Sequence, residues 1–110
     1  MDKKTAIIIF VTASSEEEAK KIATALVKEK LVACANIIPK ILSIYWWENK
    51  VCQEDEVMLI AKSTQPLFST IKDRVKSLHS YKVPEIISFP ISEGLPEYLT
   101  WIEDVTKQRV

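Results

Sequence analysis

Residues 31–62 read LVACANIIPKILSIYWWENKVCQEDEVMLIAK. The stretch is two strands joined at Asn49-Lys50. Run unbroken from Val32 to Glu48, the first strand spans about 55 Å at ~3.3 Å per residue. A compact domain of this length has a radius of gyration near ~13 Å and measures only about 35 Å across. The hairpin is therefore too long for its own domain and must bend, or project onto something else. The simplest something else is another copy of the chain. Pro39 supplies the bend, because it has no amide to give to a sheet ladder. Beyond it, Leu42, Ile44 and Trp46 fall on one face and Ile41, Tyr45 and Trp47 on the other. Asn49 suits a turn position of positive φ. The returning strand, Val51 to Lys62, is polar near the turn and apolar from Val57 to Ala61. A turn at Asn49-Lys50 pairs positions summing to about 99, which sets Cys34 across from about Gln65 and Cys52 across from Trp47.

The rest of the chain falls into place around the hairpin. Thr5 to Thr12 is an apolar run that reads as a strand buried on both faces. Ser14 or Ser15 offers an N-cap, with Glu17 or Glu18 three residues on as capping-box partner. The helix that follows buries Ala19, Ile22, Ala23, Leu26 and Val27. Its charges suit the macrodipole and form i,i+4 pairs, so they read as a solvated face. Ser63 or Thr64 caps a second helix, with Pro66 in its first turn and Phe68, Ile71, Val75 and Leu78 as its apolar stripe. A short strand spans Glu85 to Pro90. A last helix runs from about Pro96 to Lys107, with Tyr98, Trp101, Ile102 and Val105 at helical spacing. The order predicts one α+β domain over residues 1–110, a ferredoxin-like β-α-β-β-α-β pattern with an antiparallel sheet and an extra C-terminal helix. Two helices cover one face of such a sheet, yet three of these strands are apolar on both faces. Association with other copies buries the second face.

Bulk properties narrow the function classes. The 110 residues carry 15 basic and 15 acidic side chains with no block of one sign, which points away from nucleic acid and from an anionic membrane surface. A single glycine leaves no room for a phosphate-cradling glycine loop. Cys34 and Cys52 make no disulfide framework and read as small buried hydrophobes. The start, Met1-Asp2-Lys3-Lys4, leads directly into the first strand, so neither an export signal nor a membrane span is read and a cytoplasmic location is expected.

The segments Leu31 to Pro39, Tyr45 to Lys50, Glu56 to Lys62, His79 to Glu85 and Tyr98 to Trp101 together resemble the CutA divalent-cation tolerance family, over nearly the whole length and in order. The resemblance implies a ferredoxin-like subunit in a tight homotrimer, with strands continuing between subunits, similar in plan to the PII signalling proteins. It implies an association with tolerance of divalent cations, copper in particular. Some members carry a cysteine at the end of the first strand and adjacent histidines before the tyrosine of the fourth segment. Val11, Leu78 and His79 stand there in this chain, so His79 alone keeps a candidate copper ligand.

Read for chemistry, the residues offer little to an enzyme. The loop Thr12-Ala13-Ser14-Ser15 lacks both the arginine of an acylphosphatase and the Cys-x-x-Cys of a metallochaperone of this fold. Arg74 and Arg109 read as helix-surface residues. No histidine is placed to activate a nucleophile, and no catalytic activity is expected. Copper or zinc wants several converging imidazoles and thiolates, and His79 is the only imidazole. As a metal ligand it would need copies gathered on a trimer axis; the plainer reading is a residue closing a helix C-terminus. Glu54 and Glu56 share a strand face and could bind a hard cation, or simply solvate the strand end. Trp47, Lys62, Tyr81 and Glu85 are candidates for a cleft between subunits, where Lys62 and the Tyr81-Lys82 loop would suit a small anionic ligand. Ile41, Ile44, Tyr45, Trp46 and Trp47 are candidates for the trimer interface. Three readings stay open: a trimer linked to metal-ion tolerance with copper or another divalent cation, a PII-like sensor of a small anionic metabolite, and a structural or adaptor trimer.

Overall fold

The computed structural model describes residues 5–107. The elements follow the predicted order: β1 (Ala6–Ala13), α1 (Glu16–Lys28), β2 (Cys34–Trp47), β3 (Lys50–Thr64), α2 (Phe68–Leu78), β4 (Ile86–Pro90) and α3 (Pro96–Val105). A short 3-10 turn, Gln65–Leu67, leads from β3 into α2 and holds Pro66 where its missing amide costs nothing. The four strands form one open antiparallel sheet in the order β2-β3-β1-β4.

The core lies between this sheet and the helices. Ile7, Ile9 and Val11 of β1 and Leu59 of β3 are fully buried, together with Ile22 and Leu26 of α1 and Ile71 and Val75 of α2. Val27, predicted inward, is exposed, because it lies off the face on which Ile22 and Leu26 sit. The alternate residues of β1, Ile8 and Phe10, are only partly covered. Helix α3 packs against β1 and β3, and its Tyr98 hydroxyl reaches Cys34 Sγ at 3.5 Å. Neither cysteine is the buried hydrophobe expected: both are free and half-buried.

The hairpin departs from its predicted register in two places. The turn residues are Glu48 and Asn49, both in the left-handed region with φ 49° and 64°, and Trp47 pairs with Lys50. Two left-handed residues in a two-residue loop match the twist of the flanking strands. Moving the turn back by one residue sets Cys52 across from Tyr45 rather than Trp47. The second shift lies between Ile38, which faces Met58, and Ile41, which faces Glu56. Pro39 and Lys40 thus oppose Val57 alone, a bulge at the proline where the strand was expected to break. Past this bulge Cys34 lies across from Lys62, not Gln65.

β1 ends at Ala13, paired with Val57. The hairpin from Ile41 to Glu56 therefore runs past the sheet with no third strand beside it among the described residues, an overhang of about 20 Å at ~3.3 Å per residue. It stretches the subunit to 44 × 25 × 23 Å, with a radius of gyration of 14.6 Å. Arg109, read as a helix-surface residue, lies outside the described residues; Arg74 sits on α2 and pairs with Glu29 at 2.7 Å.

Candidate ligand cleft

The space beside the overhang is taken by the segment between α2 and β4. Two sets of contacts fix this segment. His79 follows the last residue of α2, and its side chain is fully buried. Its Nε2 lies 2.7 Å from the carbonyl oxygen of Thr12, and its Nδ1 accepts the Tyr81 amide at 3.0 Å. An acceptor Nδ1 leaves the proton on Nε2, where it is donated to Thr12. The ring thus ties the end of β1 to the start of the loop.

Glu18 makes the second tie. Its Oε1 accepts from the Ser14 amide at 2.9 Å and from Ser14 Oγ at 2.8 Å, and its Oε2 accepts from the Ser80 amide at 2.6 Å. Ser15 caps α1 by accepting the Glu18 amide, so Glu18 is the capping-box residue, with its carboxylate turned to Ser14 and across to Ser80. Burial alone would raise the Glu18 pKa, but the hydrogen bonds from Ser14 and Ser80 prevail and lower it from 4.5 to about 2.

Held this way, Tyr81 stacks on His79 with ring centroids 4.7 Å apart and donates its hydroxyl to Glu56 Oε2 at 2.7 Å. On the overhang, Tyr45 donates to Glu54 Oε1 at 2.7 Å, one step diagonally across the hairpin. Both phenols are held in the protonated form: Tyr81 is raised by burial and by Glu56, and Tyr45 is raised to about 12 by its bond to Glu54. Between the overhang and the loop lies a cleft of about 700 Å³, lined among others by Tyr45, Trp47, Cys52, Glu54, Glu56, Tyr81, Val83 and Glu85. Its carboxylates, Glu54, Glu56 and Glu85, outnumber its one ammonium, Lys82.

Of the four residues predicted for a cleft between subunits, Trp47, Tyr81 and Glu85 lie together in this cleft within one subunit. Lys62 is elsewhere: it faces Ile8 and Cys34 across the sheet and donates to Asn36 Oδ1 at 2.6 Å. Tyr45 and Ile44, grouped by sequence with the interface, both line the cleft, and Ile44 (63% exposed) and Trp46 (73% exposed) are open to solvent on the overhang. Glu18 and Cys52 were not singled out for the site. The alternation along β3 would have found Cys52 once the turn was set at Glu48-Asn49; no local signal marks Glu18 as a partner of Ser80.

The residues do not fit a copper or zinc centre inside one subunit. Both nitrogens of His79 are engaged, Val11 is fully buried and Leu78 packs against the core. No group of three or more His, Cys, Asp or Glu that could hold a metal ion occurs among the described residues. Among them, too, no helix is long and apolar enough to cross a membrane.

An α+β subunit with an open four-stranded sheet, three helices and an overhanging hairpin defines a narrow class, and comparison with known proteins gives it a family. Residues 7–105 match the family described as CutA1 divalent ion tolerance protein, and the chain belongs to that family. The divalent-cation tolerance protein CutA of Thermus thermophilus is 48% identical over 99 residues, covering 90% of this chain and 96% of the relative. The chloroplastic CutA 1 of rice is 41% identical over 102 residues, but this chain spans only 58% of it. Among solved structures, the Thermus thermophilus protein superimposes with a TM-score of 0.90 at 46% identity, covering 92% of this chain and 98% of that one. The Archaeoglobus fulgidus protein, described as periplasmic, gives 0.90 at 41% identity, covering 93% and 99%.

Proposed function

We propose that this protein serves divalent metal-ion tolerance as a homotrimer, without catalysis and without a copper site built on His79 of a single subunit. The observation that carries the reading is the overhang. Leu42, Ile44 and Trp46 on β2 and Val51 on β3 present an apolar face that nothing among the described residues covers. An apolar patch of this kind on a projecting arm fits a protein partner, and closed symmetric assembly of like chains is its commonest form. The number three rests on the resemblance to a trimeric family, similar in plan to PII proteins. The relatives are named for tolerance of divalent cations rather than for a reaction. The lining of the cleft within the subunit does not favour an anionic metabolite, because carboxylates prevail there and Lys62 lies apart from it.

Light scattering on the purified protein tests the assembly: a mass three times the 12.6 kDa chain is expected, and a single-chain mass at micromolar concentration would overturn it. Calorimetric titration with copper tests the role given to His79. Equal, weak binding by the wild type and by His79→Ala is expected. Tight binding that disappears in the variant would show that the imidazole is a ligand and not a connector.

A further inference from the structure

We propose that the cleft beneath the hairpin overhang binds a small organic cation, an alkylammonium group, between the rings of Tyr45, Trp47 and Tyr81 and the carboxylates of Glu54 and Glu56. The volume of about 700 Å³ is that of a small-molecule site. The lining selects among ligand charges. An anion would meet three carboxylates against one ammonium. A hard metal ion wants several oxygens free to close around it, yet Glu54 and Glu56 each give one oxygen to a phenol. An organic cation asks for less. In a quaternary ammonium the charge is spread over weakly hydrated methyl groups, so one remaining oxygen of each carboxylate and the face of an aromatic ring suffice to hold it.

The arrangement is also set in advance of binding. Tyr45 and Trp47 lie two residues apart on one strand and so share a face. Glu54 and Glu56 do the same on the neighbouring strand, and both line the cleft. Tyr81 is fixed at three points: its amide on His79, its ring against the His79 ring and its hydroxyl on Glu56. A phenol that donates to a carboxylate carries extra electron density on its ring, which strengthens the attraction of the ring face for a cation. Because both phenols stay protonated at neutral pH, these bonds persist under working conditions. The ligand site lies on the face of the overhang that carries Tyr45 and Trp47, whereas the assembly uses the face of Leu42, Ile44 and Trp46, of which Ile44 alone also borders the cleft. The two ideas fail separately.

The test is titration of the intact protein with choline, tetramethylammonium and 3,3-dimethylbutan-1-ol, the uncharged isostere of choline, followed by the indole N–H signal of Trp47 in nuclear magnetic resonance. Light scattering on the same sample reports the assembly. Choline should saturate the shift below about 10 mM, and the isostere should bind about tenfold more weakly, the ratio expected when a cation–ring attraction is lost. Glu54→Gln with Glu56→Gln should weaken choline by a similar factor, and added salt should weaken it further. Equal affinity for choline and its isostere, no saturation by any cation, or undiminished binding by the double variant would each overturn the proposal. Saturation by pyrophosphate at lower concentration than by choline would also overturn it, in favour of an anion. Should the double variant fail to fold, the comparison of choline with its isostere on the unmodified protein decides alone.

Discussion

Glu18 and His79 show how much of this site depends on two side chains. Glu18 is an acceptor for Ser14 and Ser80, and its pKa is lowered from 4.5 to about 2. A carboxyl depressed on folding contributes stability that is fully present above its unfolded value and is lost as pH falls through the folded one. The wild type should therefore lose about 2–3 kcal/mol between roughly pH 5 and pH 2 from this group. Glu18→Gln should be less stable by a similar amount at pH 7 and lack that part of the acid slope. Denaturant titrations at several pH values check both, and an unchanged slope in the variant would refute the assignment. His79→Ala leaves the Thr12 carbonyl and the Tyr81 amide without their partner, and should cost about 2–3 kcal/mol, read as a lower unfolding midpoint. At this scale the sequence is least informative. His79 closes a helix as read, but its bond to Thr12 spans 67 positions, and only the folded chain sets them side by side.

The hairpin carries the clearest lesson at the scale of elements. The break at Pro39 and the two-faced alternation beyond it were legible, because a missing amide and a period of two are local facts. The turn was read one residue late. Asn49 takes positive φ, as its side chain suggests, but Glu48 shares the left-handed region at φ 49°, and nothing about glutamate announces this. That one-residue error, compounded by the bulge, moved Cys34 from its true partner, Lys62. Lys62, expected at a cleft between subunits, faces Ile8 and Cys34 within the subunit. The strain at Glu48 makes a prediction: Glu48→Gly should stabilise the protein by about 1 kcal/mol, because glycine takes that backbone conformation without a Cβ clash. Thermal unfolding measures it, and a lowered midpoint would show that the glutamate side chain contributes more than its backbone costs.

At the scale of the molecule, the fold class was legible from element order alone, since strand-helix-strand-strand-helix-strand leaves few topologies once connections are kept short. The burial of individual residues was not, because it depends on which face each helix covers. Cys34, Ile8 and Phe10 are half-buried for that reason. The exposed face of the overhang leads to a further expectation. Ile44→Glu with Trp46→Glu should reduce the light-scattering mass to that of one chain while leaving the far-ultraviolet circular dichroism of the subunit in place. Retention of the assembled mass would move the contact to another surface.

The position of β2 at the edge of the sheet has a consequence that can be followed one amide at a time. Along an edge strand every second N–H points away from its only neighbour and is free to trade its hydrogen with water. Deuterium uptake along Cys34–Trp47 in an isolated subunit should thus alternate, fast then slow, interrupted at Pro39, which has no amide to label. Where another chain lays a strand alongside, the fast half of that alternation falls silent. A missing rhythm in the uptake would then reveal which stretch of β2 a neighbour occupies, and how far toward the tip.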